Sequence, residues 1–256
     1  MAQQFPFGQP LQTVQQTDRT PKHVFVLGVY AGAVHARWVS PDGQELVQAL
    51  AVASEPCNFW TGQGAAEIIG RITIPPQLGT LQPADAQFNG PSGIALDERI
   101  LAPLGLTRDD AWLCDLVPHS CLNITQQKAI AEQYTPVAEQ YGLPPATIPP
   151  GPDTDLADSK RRAEIISELH ESEATTLILL GDQPIKWFLN KVGQPWKRLS
   201  EFKPYGRLHS IRLDRMKLNI LPLVHPRQAA KLGLSSLEWF KIHDDWVNTT
   251  AAGLLK

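Results

Sequence analysis

The chain has 256 residues, which suffices for one large α/β domain or two small ones. Its hydrophobic content of 43% and charged content of 19% exclude a globally disordered protein, because a packed core can form. The net charge is −3, and no apolar run is long enough to cross a bilayer, which excludes a membrane-spanning protein.

The first 21 residues are rich in Gln, Thr and Pro. They contain no apolar core of the kind that a secretion signal needs, so we expect a flexible arm (residues 1–21) and a cytoplasmic protein. The remainder, residues 22–256, is expected to fold as a single α/β domain.

Three cysteines stand at positions 57, 114 and 121, an odd number without a CxxC pair. A disulfide framework is therefore not expected, and cysteines alone cannot form a four-thiolate zinc or iron–sulfur site. We expect buried free thiols, no metal site and no cofactor.

Strand-like runs open the predicted domain. Residues 23–29 form a short, Val-rich apolar run that is typical of a buried strand. Residues 33–39 and 45–53 flank an Asp-Gly step, which predicts a β-hairpin. This hairpin belongs to an insertion that we expect near residues 33–75.

Strands and helices alternate along the rest of the chain. Further strands are predicted at 111–117, 175–180, 207–213 and 217–223, and helices at 64–72, 93–104, 123–141, 156–173, 183–191, 227–232 and 236–251. The alternation favours a largely parallel sheet with helices on both faces. In such sheets the site lies at the carboxyl ends of the strands, here residues 28–32, 115–120 and 181–183, and from His225 onward.

The charge is unevenly distributed. Residues 181–233 contain eleven Lys and Arg against three acids, a local charge of +8. A basic region in an otherwise acidic protein is typical of a phosphate-binding face, although scattered surface charges are an equal alternative.

Four strand ends resemble, in order, motifs of the uracil-DNA glycosylase superfamily. Residues 26–32 (VLGVYAG) resemble the first motif. Residues 87–97 (QFNGPSGIALD) resemble the Phe-containing loop and helix start of the bacterial and archaeal branches of the superfamily. Residues 113–118 (LCDLVP) resemble the strand that normally ends in a base-reading Asn. Residues 223–227 (LVHPR) resemble the second motif, a strand ending in His-Pro.

The resemblance implies a three-layer α/β/α sandwich around a central, mainly parallel four-stranded sheet. It also implies a DNA base-excision glycosylase, which binds a uracil or other deaminated or damaged base flipped out of the stack and hydrolyses its N-glycosidic bond. Single- or double-stranded DNA is then the expected partner, and we expect a monomer.

The resemblance assigns residues of the first motif and of the 87–97 segment to base binding. Phe88 lies on a Gly-flanked loop and offers a ring on which a base can stack, with a core anchor as the alternative. Tyr30, Gly28 and Asn89 complete the expected base-binding set.

Asp115 and His225 are the candidate catalytic residues. Asp115 stands where the resemblance predicts Asn. When ionised it offers only acceptors, and when protonated it partly mimics Asn or matches a cytosine-like edge. The alternatives are that Asp115 positions water, caps a helix or tethers a loop. His225 is expected to stabilise the anion of the departing base as a nearby cation, with a structural role as the alternative.

The segment after His225 and the start of the predicted helix at Ser92 are expected to contact DNA. Arg227, Lys231 and Ser92 would bind phosphates, aided by free N–H groups at the helix start that follows the His-Pro step. Leu232 would be the wedge that fills the vacated stack, unless it belongs to the core.

The first motif departs from the pattern because residues 28–33 hold no carboxylate or amide to activate water. Three explanations stay open. Asp115 takes over the activation of water, or His35 or a hairpin acid (Asp42 or Glu45) reaches the site, or catalysis is weak or lost and the protein binds nucleic acid. A small-molecule α/β hydrolase is disfavoured by the missing Gly-x-Ser-x-Gly elbow, and a nucleotide-binding P-loop by the missing GxxxxGK[ST].

Overall fold

A computed structural model describes residues 3–255. The strands within these residues form two separate sheets. Their bounds are β1 (Val24–Tyr30), β2 (Ala33–Val39), β3 (Glu45–Ser54), β4 (Thr80–Pro83), β5 (Ala111–Val117), β6 (Thr176–Leu180), β7 (His209–Leu213) and β8 (Met216–Leu223).

The α-helices are short except for two. Their bounds are α1 (Ala65–Gly70), α2 (Pro91–Leu96), α3 (Ile124–Ala129), α4 (Thr135–Tyr141), α5 (Ser159–Ser172), α6 (Asp182–Pro184), α7 (Pro226–Ala229) and α8 (Leu237–Thr249). Single π-helical turns continue α2, α3 and α6. None of the helices within residues 3–255 combines the length and the apolar character that crossing a membrane requires.

The chain folds as two compact units. Within the described residues, unit 1 consists of 3–14, 30–91 and 118–153, and unit 2 consists of 15–29, 92–117 and 154–255. The sequence analysis expected one domain after the N-terminal arm. It placed an insertion at 33–75, and those residues fold in unit 1 together with segments from distant parts of the chain.

The larger sheet has the strand order β5-β1-β6-β8-β7. β6 pairs in parallel with both β1 and β8, whereas β7 pairs antiparallel with β8. The expected α/β class with a mostly parallel sheet is therefore confirmed. The sheet has five strands instead of the expected four, because the predicted strand pair β7–β8 is a hairpin that adds an antiparallel strand at the edge.

Arg161 of α5 secures the edge strand β5. Its Nη2 donates to the Asp115 carbonyl at 2.7 Å, and its Nε donates to the Leu116 carbonyl at 3.2 Å. An edge strand leaves carbonyl groups without a neighbouring strand, and the guanidinium satisfies two of them. Glu168 on the same helix pairs with Arg161 at 3.2 Å and fixes the side chain.

Unit 1 contains an antiparallel sheet of order β3-β2-β4. The predicted hairpin between β2 and β3 is confirmed, with Ala33 opposite Ser54 at its base and Val39 opposite Glu45 near its tip. The sheet packs on a core that includes Trp38, whose indole Nε1 donates to the Leu78 carbonyl at 2.7 Å.

The described part of the predicted N-terminal arm is packed and not loose. Phe5 is fully buried, and the Phe7 ring meets the Trp38 ring edge-on with the centroids 5.4 Å apart. The Phe7 N–H also donates to the Tyr134 hydroxyl at 2.8 Å. The prediction failed because the polar composition of the segment hid two aromatic anchors; residues 1 and 2 of the arm lie outside the described residues.

Gly206 in unit 2 is in direct contact with Trp246. It has φ +67°, and a Cβ there would lie 2.2 Å from Trp246 Cδ1. The Trp246 indole also donates to the Gly206 carbonyl at 3.0 Å, so the ring cannot retreat without losing this bond. The position therefore needs glycine for its backbone conformation and for its lack of a side chain.

We predict that Gly206→Ala destabilises unit 2 more than Gly105→Ala. Gly105 has a similar φ of +74°, but a Cβ there meets no atom within 4 Å, so this control isolates the backbone strain. Gly105→Ala should cost about 1 kcal/mol, and overpacking should add roughly 1–3 kcal/mol at Gly206. Urea unfolding measures both, and equal losses would refute the packing argument.

Candidate functional site

A cleft lies in unit 2 at the carboxyl ends of β1, β6 and β8, where sites of open α/β sheets occur. Its volume is about 310 Å³, near the lower end of small-molecule sites. It is lined by Val29, Leu180, Gly181, Asp182, Gln183, Leu199, Val224, His225, Gln228 and Trp239.

His225 lines the cleft as a neutral imidazole. Its Nδ1 accepts the Arg227 N–H at 3.3 Å, so the ring proton resides on Nε2. Burial, followed by the charge of Arg227, lowers the pKa of His225 to about 4. No residue between 3 and 255 forms a hydrogen bond with Nε2. His225 thus offers a hydrogen-bond donor, not the cation that the sequence analysis expected.

The backbone next to His225 is held by a chain of buried side chains. The Val224 N–H donates to the Tyr205 hydroxyl at 3.1 Å, and this hydroxyl donates to His243 Nδ1 at 2.7 Å. His243 Nε2 in turn donates to the Arg99 carbonyl at 2.8 Å. Burial lowers the pKa of His243 to about 4, which keeps the ring neutral as these bonds require.

Trp239 is an aromatic group in the cleft that the sequence analysis missed. It lies in the first turn of α8, next to the Ser236 hydroxyl that accepts its N–H at 3.3 Å. Its ring is 6.0 Å from that of Tyr205. A tryptophan on an amphipathic helix is normally assigned to the core, and only the packing of α8 shows that it faces a cleft.

The acid in the cleft lining is Asp182, and it is already engaged. Its Oδ1 accepts the Leu199 N–H at 2.7 Å, which ties the segment before β7 to the start of α6. Gly181 precedes it and lies against His225, because a Cβ at Gly181 would be 3.5 Å from the His225 Cβ. These contacts make Asp182 a structural tether of the cleft wall.

Asp115 lies on β5 and is only 3% exposed. Burial raises the pKa of its carboxyl from 3.8 to about 7, although Arg161 and a hydrogen bond from the Val29 N–H act in the opposite direction. Asp115 is not among the described residues that line the cleft, but Val29 is. The carboxyl therefore supports the cleft wall through Val29, and near neutral pH it occurs in both protonation states.

The N–H groups at the start of α7 are not free, contrary to the expectation of an anion site there. The Gln228 and Ala229 N–H groups donate to the His225 carbonyl at 2.8 and 3.0 Å, and the Arg227 N–H donates to the His225 ring. Phosphate contact would therefore depend on the exposed side chains of Arg227 and Lys231.

The loop after α7 exposes a different leucine from the predicted wedge. Leu232 is half-buried, whereas Leu234 is fully exposed at 108%. Lys231 and Gly233 both have positive φ, of +55° and +62°, and turn the chain outward. Leu232 is therefore a weaker candidate for the wedge than Leu234. The two leucines that flank Gly233 in the sequence could have pointed to Leu234 as a second candidate.

The remaining predicted residues of unit 2 occupy less accessible places. Gly28 is buried within β1, one residue before Val29 of the cleft wall, and Ser92 is half-buried in the first turn of α2. The basic stretch is also divided. Arg212, Arg215 and Lys217 lie at the β7–β8 turn, which is the opposite end of β8 from His225.

The Phe88 loop belongs to unit 1. Phe88 is half-buried and Tyr30 is 43% exposed, so both rings keep some accessible surface. Asn89 is buried: its Oδ1 accepts the His35 N–H at 2.8 Å, and its Nδ2 donates to the His35 and Ala84 carbonyls. These bonds assign Asn89 to anchoring the loop on β2 instead of to base binding.

A carboxylate that the sequence analysis missed lies at the first-motif turn. Glu55 directly follows β3 and is 7% exposed, and its Oε2 is 2.6 Å from where a Cβ on Gly32 would stand. Asp42 and Glu45, the hairpin acids that the sequence analysis considered for activating water, are exposed at the other end of the hairpin. The seven-residue strand β2 separates that end from the first-motif turn by roughly 20 Å.

His35, the other considered substitute, is enclosed in unit 1. Its Nε2 contacts the Gln126 side chain, and burial lowers its pKa to about 4.

The cysteines are free thiols as expected, two of them buried and Cys57 half-buried. Within residues 3–255 no group of three or more His, Cys, Asp or Glu side chains is arranged to hold a metal ion.

The sequence matches no protein-family model and no curated protein. The relation to the uracil-DNA glycosylase superfamily therefore stays a proposal that depends on the ordered motifs. What the structure adds is the α/β class and a cleft at the predicted strand ends.

We predict that Asp115→Asn becomes increasingly stabilising as pH rises. Between pH 3.8 and about 7 the unfolded wild type ionises Asp115 while the folded state keeps its proton, so wild-type stability falls with pH. The asparagine variant lacks this loss, so its advantage should grow by about 1 kcal/mol per pH unit up to about pH 7 and level off above it. Urea unfolding of both proteins from pH 5 to 8 tests this; a constant difference would show that Asp115 ionises normally.

Proposed function

We propose that the protein binds a base flipped out of DNA and hydrolyses its N-glycosidic bond, as DNA glycosylases do. The observation that carries this proposal is His225 in the cleft, neutral and with its Nε2 proton uncommitted among residues 3–255. The cleft lies where the ordered motifs predict the site, at the ends of β1, β6 and β8.

A neutral histidine suits the chemistry of this reaction. When the bond between the sugar and the base breaks, its electron pair remains on the base, and negative charge develops on the base oxygens. A fixed hydrogen-bond donor at such an oxygen stabilises the charge as it forms. The Tyr205–His243 chain supports this function, because it fixes Val224 and so limits movement of His225.

Trp239 provides the cleft with a surface for the base itself. Bases stack on aromatic rings with little dependence on their identity, whereas hydrogen bonds to the base edge confer selection. Gln183 and Gln228 in the lining each carry an amide that can donate and accept. A deaminated base, which presents both a carbonyl oxygen and an N–H, fits these groups.

Contact with DNA outside the cleft is assigned to the loop after α7. Arg227 and Lys231 are exposed cations on this segment, and Leu234 is an exposed apolar side chain between them and α8. Cations that neutralise phosphates give affinity without sequence preference, and an apolar side chain can occupy the gap left in the stack.

A second candidate, binding of nucleic acid without catalysis, is favoured by one observation. The carboxyl of Asp115 is buried outside the cleft lining, and that of Asp182 is engaged with Leu199. Neither of these two acids is therefore placed to activate water at the cleft. This candidate predicts retention on DNA that weakens with salt, and no base release.

The test is an excision panel on single- and double-stranded oligonucleotides that contain uracil, hypoxanthine or xanthine. We expect the wild type to release at least one base, and His225→Ala to slow the release about 100-fold, as for loss of one donor to a developing anion. His170→Ala is the control, because His170 is exposed and pairs with Asp214 at the other end of the sheet. Release of none of the bases would refute the glycosylase proposal.

Leu234→Ala should slow excision from double-stranded DNA more than from single-stranded DNA. The reason is that a wedge compensates for lost stacking, which a single strand does not require. Ile124→Ala removes a similarly exposed apolar side chain, 84% exposed in unit 1, and serves as the control. Equal effects of Leu234→Ala on both substrates would argue against the wedge.

A further inference from the structure

The loop after α7, residues 230–236, holds an exposed leucine on a constrained backbone. Leu234 is fully exposed, so packing against residues 3–255 does not hold its side chain. Lys231 in the same loop has φ +55°, in the left-handed region that residues other than glycine rarely adopt. Such a backbone persists only where the surrounding contacts over-determine it. In this loop those contacts are hydrogen bonds.

The side-chain amide of Gln228 closes the loop. Its Nε2 donates to the Ser236 carbonyl at 2.6 Å, and its Oε1 accepts the Ser236 N–H at 2.9 Å. Because two bonds join the same two residues, the start of the loop is tied to its end in both distance and orientation. We call this pair of bonds the latch. An amide has a second N–H and a second acceptor site, so the latch leaves Gln228 able to contact a base.

The latch also fixes the loop relative to the cleft. The backbone N–H of Gln228 donates to the His225 carbonyl at 2.8 Å, and Gln228 itself lines the cleft. At the other end, the Ser236 hydroxyl accepts the Trp239 N–H at 3.3 Å in the first turn of α8. Both ends of the latch are therefore bonded to residues of the cleft lining, and Leu234 lies on the short loop between them.

Ser235 adds a bond inside the loop. Its hydroxyl donates to the Leu232 carbonyl at 2.6 Å and also lies 3.0 Å from the Arg227 carbonyl. The Leu232 N–H donates to the same Arg227 carbonyl at 2.8 Å. Polar bonds thus order the loop while the side chain of Leu234 stays in solvent. A preformed binding element has this arrangement, whereas a core segment would bury its leucine.

We propose that Gln228 is a positioning residue that holds Leu234 where it fills the gap left in duplex DNA by the flipped base. This inference rests on the DNA contact of the proposed function, in which Leu234 is the wedge. A loop that is ordered before binding loses less conformational freedom on binding, which raises affinity. A single strand has no duplex stack to restore, so the benefit of the latch is specific to duplex DNA.

The experiment measures affinity for a uracil-containing duplex and for the same strand alone, and takes the ratio of the two. A 2′-fluorine on the sugar of the uracil nucleotide disfavours the oxocarbenium-like transition state, so the probe stays intact. Gln228→Met keeps the length of the side chain but cannot form the latch. We expect it to lower the ratio by about tenfold, as for a group that must be ordered on association. Contacts of Gln228 with a base in the cleft contribute to both affinities and cancel in the ratio.

Gln194→Met is the matched control. The Gln194 amide also donates to a backbone carbonyl of unit 2, that of Arg212 at 3.0 Å, but this bond lies outside the loop after α7. The substitution therefore removes a comparable bond without affecting the latch, and it should leave the ratio at its wild-type value.

Leu234→Ala shows whether Gln228 acts through the wedge. In the Leu234→Ala background no wedge remains to be positioned, so adding Gln228→Met should not change the ratio further. Ser235→Ala covers the case in which Gln228→Met does not fold. It removes another bond of the loop, and Ser235 is not among the described residues that line the cleft. It should also lower the ratio, and again only where Leu234 is present.

The outcomes separate this inference from the proposed function. If the wild type releases a base but Gln228→Met and Ser235→Ala keep its ratio, Gln228 does not position the wedge, although the glycosylase function stands. An equal effect of Gln228→Met with and without Leu234 would assign the effect to another contact and would also overturn the inference. If the wild type releases no base but the ratio depends on Gln228 only through Leu234, the hydrolysis fails and the inference holds for a protein that binds duplex DNA.

Discussion

Removal of water from the strand ends of unit 2 is the constraint on which the candidate site depends. Burial lowers the pKa values of His225 and His243 to about 4, and it raises that of Asp115 to about 7. Each of these shifts disfavours the charged form. The hydrogen bonds then have fixed directions: neutral His243 accepts from Tyr205 and donates to Arg99, and neutral His225 accepts at Nδ1. These three groups therefore present oriented dipoles rather than full charges.

The same burial gives unit 2 two opposing dependences on pH. A histidine with a lowered pKa contributes stability that is lost as pH falls from 6.5 towards 4, because the unfolded chain takes up the proton more readily. Asp115 has the opposite effect, since its folded-state pKa lies above its unfolded value. Unit 2 is therefore disfavoured by acid through its histidines and by rising pH through Asp115. All three groups are uncharged together only in the pH interval between these limits.

The sequence could predict the elements whose evidence is local. The apolar runs of β1, β5 and β6 and the Asp-Gly turn of the β2–β3 hairpin each depend on a few neighbouring residues, and the structure contains them all. Contacts between distant segments were not predictable. Phe7 contacts Tyr134, and Tyr205 contacts His243 on α8. The periodicity of α8 predicts an amphipathic helix, but it does not show which residue His243 contacts. Trp239 and Leu234 were missed for this reason, because their exposure is decided by packing.

Gly32 and Glu55 show how the base of the β2–β3 hairpin joins residues that are far apart in the sequence. The pairing of Ala33 with Ser54 puts residues 32 and 55 side by side across the base of the hairpin. A residue at position 32 larger than glycine would compete with Glu55 for the same volume. The glycine on one strand and the acid on the other are therefore one arrangement, and a motif read along a single segment contains only half of it.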